Sequence, residues 1–281
     1  MISWLARLLR IWCLIQPSAD SIAPKDFIKS YLAGAFISHV TPSAAGGYPF
    51  FLLLLHQQGI PAGKSLAVSL IDSVNTGLTI GSLLAIGTLL LHIHVSTTDN
   101  WLAAAVIGIM FLSIPALTLL VFAGKISQAA SRLSRKHPDP SNRIALLAAR
   151  AAGEIQRFES AVSTFWRHHR QLLFANLLFN LIYWVSFLSI TPMLLRAVGG
   201  RAPWPIMVGS HIATQFAQYL IPTPGAAGGV EVTMAFLIRN LMSHEQLMTF
   251  LALWRIYTYY ISLLGTSLTI PWALGVLRKN Q

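Results

Sequence analysis

The heptapeptide TPSAAGG at residues 41–47 returns as TPGAAGG at residues 223–229, with six of seven positions identical. Apolar segments flank both copies. Proline removes a backbone donor and clashes in a helix interior, while paired glycines permit unusual backbone angles and close approach. The repeat therefore predicts two hairpins that are broken at their tips. The same four residue types break both tips. These are Thr41, Pro42, Gly46 and Gly47 in the first copy and Thr223, Pro224, Gly228 and Gly229 in the second.

The composition outside the repeat excludes an ordinary soluble globule. Of 281 residues, 54% are hydrophobic and 10% are charged, whereas about 25% are charged in a soluble domain. Mean hydropathy is +0.61, and apolar stretches of about 20 residues, enough to cross a bilayer, recur along the chain. We predict an all-α, polytopic membrane protein. The single Cys13 excludes an internal disulfide and a cysteine-based zinc site, and no cofactor is expected.

Four segments have the length and hydropathy of complete spans, at about residues 66–91, 101–123, 171–195 and 246–276. The segment between the second and third contains nine Lys and Arg residues, so the positive-inside rule predicts that it is cytoplasmic. Arg278 and Lys279 predict a cytoplasmic C-terminus. The net charge of +11 therefore indicates topology in the plasma (inner) membrane, and no nucleic-acid partner is expected.

The number of complete spans then decides from which side of the membrane each hairpin enters. Residues 27–58 must enter and return on the cytoplasmic side, and residues 205–243 on the external side. We therefore predict two broken re-entrant helical hairpins in inverted-topology halves of a single membrane domain, residues 1–281. Its predicted parts are an interfacial or partial helix, a first half, a basic cytoplasmic loop and a second half (1–26, 27–123, 124–170 and 171–281).

The second half of the basic loop is amphipathic. Apolar residues from Ile144 to Phe165 recur at steps of three and four, with Arg150, Glu154 and Arg157 elsewhere on the helical wheel. Such a helix either binds anionic lipid at the membrane surface or covers other helices. Both interpretations stay open from the sequence.

The breaks also predict a type of ligand. Irregular backbone at membrane depth must be buried or line a wet cavity. A helix that restarts after the glycines points free N–H groups and its positive dipole end at that cavity, which favours an anion. Broken helices in inverted halves form the substrate site of many transporters. The expected ligand carries a carboxylate or a phosphate.

The second motif, PTPGAAGGVE, is followed by LWRIYTYYISLLG, and the first, TPSAAGGYPFFLLLL, by HQQGIP. With these motifs the chain resembles the transmembrane-region family of lysylphosphatidylglycerol synthase, over about residues 25–276. The resemblance implies a flippase-type domain that handles lipid. It implies no synthase activity, because the aminoacyltransferase of full-length synthases is a separate soluble domain. Compared with typical members, the chain is short by about one N-terminal helix, which predicts a truncated start.

Ionisable groups inside spans are costly and therefore become candidate substrate-binding residues. Three qualify: Asp72, Glu231 and Arg255. Glu231 either contributes to the site or satisfies N–H groups of the restarted helix. Arg255 either contacts a head-group phosphate, for which a planar guanidinium is suited, or forms a structural ion pair with Glu231 or Asp72.

Other polar residues have weaker signals. His39 and His211 lie near the two breaks and either move protons or pack. Five amides either join helices by hydrogen bonds or line a wet cavity; they are Asn75, Asn176, Asn180, Gln215 and Gln218. Gly63-Lys64-Ser65 does not complete a phosphate-binding loop, because Gly59 is one residue too close.

Together with the breaks, the family resemblance implies a lipid flippase or transporter that moves an anionic or zwitterionic lipid with a phosphate head group, such as a phospholipid or a polyprenyl phosphate. Two alternatives stay open: a non-catalytic subunit that supports envelope lipid or glycan synthesis, and a small-solute secondary transporter. No catalytic motif supports an enzyme.

Overall fold

The computed structural model describes residues 2–18, 22–94 and 143–279, and within these ranges the chain forms helices and no β-strand. The first half contains α1 (Ile2–Ile15), α2 (Pro24–Val40), α3 (Gly47–Gln57) and α4 (Ala62–His94), and α5 (Arg143–His168) precedes the second half. The second half contains α6 (Arg170–Leu188), α7 (Ile190–Ala197), α8 (Trp204–Leu220), α9 (Gly229–Ile238), α10 (His244–Arg255), α11 (Ile261–Ser267) and α12 (Ile270–Lys279). Short 3₁₀ turns occupy Gln16–Ser18 and Arg239–Leu241, and a π-helical turn, Ile256–Tyr260, joins α10 to α11.

The first heptapeptide lies at the tip of the hairpin formed by α2 and α3. Pro24 begins α2, where its missing N–H has no partner to lose. The two helices approach closely at Gly34, since a Cβ there would lie 2.8 Å from Cβ of Phe51 and 3.0 Å from the Gly47 carbonyl oxygen. Small residues permit such close packing of membrane helices. The bounds of the two helices are close to the predicted 27–58, and re-entry from the cytoplasmic side stays a prediction.

The second heptapeptide lies at the tip of the hairpin formed by α8 and α9. Met207 of α8 and Val230 and Met234 of α9 are buried together with Trp254 of α10. After the hairpin, the Ser243 hydroxyl and the Gln246 side chain form a capping box that begins α10. The observed helices agree with the predicted bounds, 205–243.

The two halves pack into each other. Ile80 of α4, Leu188 of α6 and Ile212 of α8 form one buried cluster. At the far end of the chain, Ala273 of α12 packs against Ala33 and Leu54 of the first hairpin. The second half therefore supplies part of the core around the first hairpin, and this arrangement brings the two tips together.

α1 is a packed element of the first half. Its buried Ile11 and Leu14 join a cluster with Phe27 of α2, Phe51 of α3 and Phe165 of α5. The prediction that residues 1–26 form an interfacial or partial helix did not anticipate this burial. Arg10 of the same helix is buried as well.

The amphipathic α5 covers another helix in the part that is described. Its Phe158 packs with Ala67 of α4. The Gly63 N–H donates to Oε2 of Glu154 at 2.6 Å, and a Cβ on Gly63 would lie 2.1 Å from the Glu154 carbonyl oxygen. Of the two interpretations of this helix, packing is therefore observed, and anionic lipid binding stays a prediction.

Within the described part of the chain, three helical segments are long and apolar enough to cross a membrane: Ala62–Leu83, Arg170–Ala197 and His244–Ser267. They correspond to three of the four predicted spans, and the fourth, 101–123, lies outside the described residues. The predicted end of the last span, residue 276, is wrong. The helix ends at Ser267 and restarts at Ile270, because Pro271 has no N–H with which to continue the helical ladder.

Candidate functional site

The two heptapeptides meet. The chain passes antiparallel to itself at Pro42 and Pro224, as an isolated bridge between the two hairpin tips. In both tips the residues that follow the proline have left-handed backbone angles, with φ of 52° and 55° at Ser43 and Ala44 and of 60° and 52° at Gly225 and Ala226. At these two positions, the sequence repeat is also a repeat of backbone conformation.

The first tip is closed by its own threonine. The Thr41 hydroxyl donates to the Ile37 carbonyl at 2.7 Å and accepts the Gly46 N–H at 3.1 Å. The N–H groups of Ala44 and Ala45 donate to the carbonyls of Thr41 and Pro42. These N–H groups are therefore used within the turn.

The second tip is held by an arginine from another helix. Nη2 of Arg255 donates to the Gly225 carbonyl at 2.6 Å, and the guanidinium lies 4.1 Å from the Tyr259 ring centroid. The Tyr259 hydroxyl in turn donates to the carbonyl of His39, near the first tip, at 3.1 Å. Arg255 and Tyr259 thus connect the two breaks through the end of α10 and the π-helical turn.

Arg255 also forms the ion pair that was one of its two predicted roles. Its Nε lies 2.8 Å from Oε1 of Glu231, in the first turn of α9. The carboxylate lies off the N–H direction, and Oε2 of Glu231 has no partner among the described residues. Since 28% of the Glu231 side chain is exposed, this pair is only partly removed from solvent.

Asp72 pairs with Arg10 instead. Oδ2 of Asp72 lies 3.2 Å from Nη2 of Arg10, and the two side chains are 2% and 9% exposed. Asn176 and Asn180 both donate to Oδ1 of Asp72, and the Tyr48 hydroxyl donates to Oδ2 at 3.4 Å. The buried part of this network connects α1, α4 and α6, and the exposed Tyr48 extends it to the start of α3.

The breaks and both arginines border one cavity, with a volume of about 490 Å³. It lies between α1, α2, α4, α6, α8 and the π-helical turn. Ala44 of the first tip and Gly225 and Ala226 of the second contribute to its wall. Its described charged lining residues are three arginines and one acid, namely Arg7, Arg10, Arg255 and Asp72.

The predicted site residues divide into two groups. Asp72 and Arg255 line the cavity. The other nine predicted residues are absent from its described wall, although the two tips that contain most of them meet beside it. They are Thr41, Pro42, Gly46, Gly47, Thr223, Pro224, Gly228, Gly229 and Glu231.

Sequence reasoning missed the arginines of α1. Arg7 and Arg10 were assigned to an interfacial segment, yet both line the cavity. Their spacing of three residues places them on one face of a helix, a signal that is readable in the sequence. The π-helical turn was also missed. Such turns often occur at functional sites, and here Tyr257, Thr258 and Tyr259 of the turn line the cavity.

The remaining polar candidates have specific contacts. Nε2 of His39 and the Ser262 hydroxyl are 2.6 Å apart, and Nδ1 of His211 lies 2.7 Å from the Thr191 hydroxyl. Asn75 donates to Asn176 at 2.7 Å. Gln215 and Gln218 line the cavity. The amides thus include both helix-joining and cavity-lining residues.

The lysylphosphatidylglycerol synthase TM region family matches residues 1–265, and the chain belongs to this family of membrane proteins. A UPF0104 membrane protein of Archaeoglobus fulgidus is similar to it, with 22% identity over 285 residues that cover 99% of this chain and 86% of the relative. No solved structure matches the chain. The family confirms the predicted resemblance and places the chain among lipid-related membrane proteins.

Proposed function

We propose that this protein is a lipid flippase or lipid transporter of the plasma membrane. It moves an anionic or zwitterionic lipid between leaflets by admitting the head group to the central cavity. The observation that carries the proposal is the meeting of the two broken tips beside a cavity whose described charged lining residues are three arginines and one aspartate.

The hairpins supply the transport geometry. In the proposed topology, α2 and α3 re-enter from the cytoplasm, while α8 and α9 re-enter from outside. Tips that enter from opposite sides meet within the membrane, and the antiparallel contact of Pro42 with Pro224 supports this arrangement. Relative movement of the two halves would then open the same site alternately to each side.

The size of the cavity favours a head group. About 490 Å³ lies within the usual range for a small-molecule site, about 300–1,000 Å³, and is too small for the acyl chains of a lipid as well. The chains would therefore remain in the bilayer. Exposed apolar side chains on the helices offer a surface for them, as at Leu220, Val232, Phe236 and Leu264.

The charge of the cavity favours a phosphate. Arginine forks match phosphate oxygens in a bidentate manner, and charge inside a membrane protein is retained mainly at substrate or ion pathways. The lipid substrate itself would supply the anion. No catalytic role is proposed for any residue.

The direct test is lipid movement in liposomes. Purified protein is reconstituted with phosphatidylglycerol that has a nitrobenzoxadiazole-labelled acyl chain. Dithionite added outside reduces only the label in the outer leaflet, so the loss of fluorescence reports the fraction of labelled lipid that has changed leaflet. We expect faster exchange with protein than in protein-free liposomes. Ordered lipid binding without exchange would overturn transport and favour the accessory-subunit alternative.

Variants of Arg255 and Glu231 separate a structural pair from a binding site. The double variant Glu231→Gln/Arg255→Gln removes both charges and leaves no lone buried ion. We expect it to fold but to lose exchange, and Arg255→Lys to be impaired because bidentate geometry is lost. Wild-type exchange by the double variant would contradict a role for Arg255 at the head group.

The topology has its own test. In a Cys13→Ser background, single cysteines at Ser134 and Gln281 should react with an impermeant maleimide from the cytoplasm, and one at Thr98 from outside. The expectation rests on the basic segment and the span count. Labelling of Ser134 and Thr98 from the same side would contradict the inverted arrangement and, with it, the site near the middle of the membrane.

A further inference from the structure

The charges of the described residues around the cavity do not cancel. Arg10 is paired with Asp72, and Arg255 with Glu231. Arg7 lines the same cavity and has no carboxylate within 4.0 Å among the described residues. Three arginines and two carboxylates leave one net positive charge, and this charge lies at Arg7.

Arg7 is held in place by neutral groups. Its Nε donates to the Tyr31 hydroxyl at 2.9 Å. Its guanidinium carbon lies 5.7 Å from the Trp4 ring centroid and 5.5 Å from that of Tyr31. These rings stabilise the cation and fix its plane, but they provide no counter-charge.

The bond to Tyr31 uses Nε and leaves the outer fork of the guanidinium without a described hydrogen-bond partner. Two parallel N–H groups on a planar cation fit two oxygens of a phosphate. Because Arg7 is only partly buried and borders the cavity, a ligand in the cavity can reach this fork. A partly desolvated cation attracts an anion more strongly than one in water.

We infer that Arg7 binds the phosphate of the transported lipid and makes the cavity selective for lipids with one net negative charge, such as phosphatidylglycerol, over zwitterionic lipids. This inference rests on the proposed function and deepens it. A monoanionic head group brings the charge of the occupied cavity to zero. A zwitterionic head group leaves the positive charge in place and adds an ammonium among three arginines.

Competition binding tests the selectivity without requiring transport. Native mass spectrometry of the detergent-purified protein, given an equimolar mixture of dioctanoyl phosphatidylglycerol and dioctanoyl phosphatidylcholine, reports the ratio of the two bound forms. We expect wild-type protein to favour phosphatidylglycerol by about tenfold, within the range of one charge-assisted contact. Arg7→Gln should bring the ratio close to one, and Arg7→Lys should keep a reduced preference.

Arg196→Gln is the matched control. The guanidinium of Arg196 lies 5.5 Å from the Trp204 ring centroid, a similar arginine–aromatic contact, but Arg196 is not among the described lining residues of the cavity. Its selectivity should equal that of the wild type. Tyr31→Phe retains the ring and removes the hydroxyl that accepts from Arg7, so it should weaken the preference severalfold in a folded protein even where Arg7→Gln fails to fold.

The outcomes separate the inference from the proposed function. Arg7-dependent selectivity without exchange in liposomes would support the site and contradict transport. If the protein exchanges lipid, but the ratio of bound phosphatidylglycerol to phosphatidylcholine is the same in the wild type as in Arg7→Lys or Tyr31→Phe, the site at Arg7 is overturned. Transport would still be supported. Displacement of bound phosphatidylglycerol by glycerol 3-phosphate or inorganic phosphate at equal concentration would overturn the lipid as ligand in favour of a free phosphate.

Discussion

The two tips share six of seven residues, yet they are stabilised in different ways. In the first tip, Thr41 bonds both to the preceding helix and to Gly46, so the turn is closed from within. In the second tip, the Gly225 carbonyl accepts from Arg255 on a distant helix. The same backbone hydrogen bonds, from the two N–H groups that follow Ser43 and Gly225, close both turns. The second turn is held in addition by a charged side chain that lines the cavity.

The ion pairs of the two halves differ in burial and in the number of their hydrogen-bond partners. Arg10 and Asp72 are almost fully buried, and the carboxylate is surrounded by donors. Glu231 is partly exposed and one of its oxygens has no described partner. The first half thus contains an almost fully buried ion pair, and the second half contains a more accessible one.

The largest expected effect comes from breaking the buried ion pair of Arg10 and Asp72. Asp72→Asn leaves the Arg10 charge buried without its carboxylate, which we expect to lower the free energy of unfolding by about 3–5 kcal/mol. Glu231→Gln should cost less, about 1–2 kcal/mol, because 28% of the Glu231 side chain is exposed and Arg255 keeps its contacts with the Gly225 carbonyl and the Tyr259 ring. Thermal unfolding of both variants in the same detergent measures the difference. Equal losses would contradict the distinction between the two halves.

Next in size is the second glycine of each pair. A Cβ on Gly47 would lie 1.6 Å from the Ser38 hydroxyl oxygen and 2.7 Å from the Gly34 carbonyl oxygen, whereas on Gly229 it would meet the end of Ile221 at 2.3 Å. Backbone cannot give way as a flexible side chain can, so Gly47→Ala should cost about 3 kcal/mol and Gly229→Ala about 1 kcal/mol.

Unfolding in detergent measures both losses. The double variant Ser38→Ala/Gly47→Ala should recover only part of the stability, because the Gly34 carbonyl still obstructs the new methyl group. Full recovery would show that the hydroxyl alone makes the first hairpin intolerant.

The elements that could be predicted from the sequence are those with strong local signals. Proline and paired glycines determine where α2, α3, α8 and α9 end or begin, so both hairpins agree with their predicted bounds. The end of the last span was wrong because the run stays apolar through Pro271, and hydropathy does not register the missing N–H.

The site was harder to predict because it is assembled from distant segments. The sequence indicates that Asp72 needs a cation but not which one, and Arg10, 62 positions earlier, fulfils that need. Likewise, the glycine motifs indicated a cavity but not its wall, which the tips reach through Ala44, Gly225 and Ala226. Long-range packing decides such pairings, and one sequence contains no local signal for it.

The first glycine of each pair gives a smaller and more specific comparison. Gly46 has φ of −80°, and a Cβ there would lie 2.7 Å from Cγ2 of Thr41. Gly228 has φ of 85° and open space around it. Alanine should cost about 1–2 kcal/mol at either position, for steric reasons at Gly46 and conformational reasons at Gly228.

Neighbouring threonines distinguish these two reasons. Thr41→Ser removes Cγ2 and keeps the hydroxyl, so it should recover part of the stability lost in Gly46→Ala. Thr223→Ser should recover nothing in Gly228→Ala, because the strain there lies in the backbone. Double-mutant cycles by thermal unfolding measure both couplings, and equal couplings would contradict the distinction.

The smallest effect concerns the one position at which the heptapeptides differ. Ser43 has φ of 52°, and its counterpart is Gly225 with φ of 60°. Since a left-handed angle costs a residue with a side chain about 1–2 kcal/mol, and glycine adds back entropy to the unfolded chain, Ser43→Gly should stabilise the protein by up to about 1 kcal/mol. Ala45→Gly is the control, because Ala45 is not among the described residues with positive φ; it should lower stability by about 0.5–1 kcal/mol. The sign of the two changes in melting temperature is the measurement. If both variants are destabilised alike, Ser43 is under no strain, and the two tips share a conformation that serine adopts as readily as glycine.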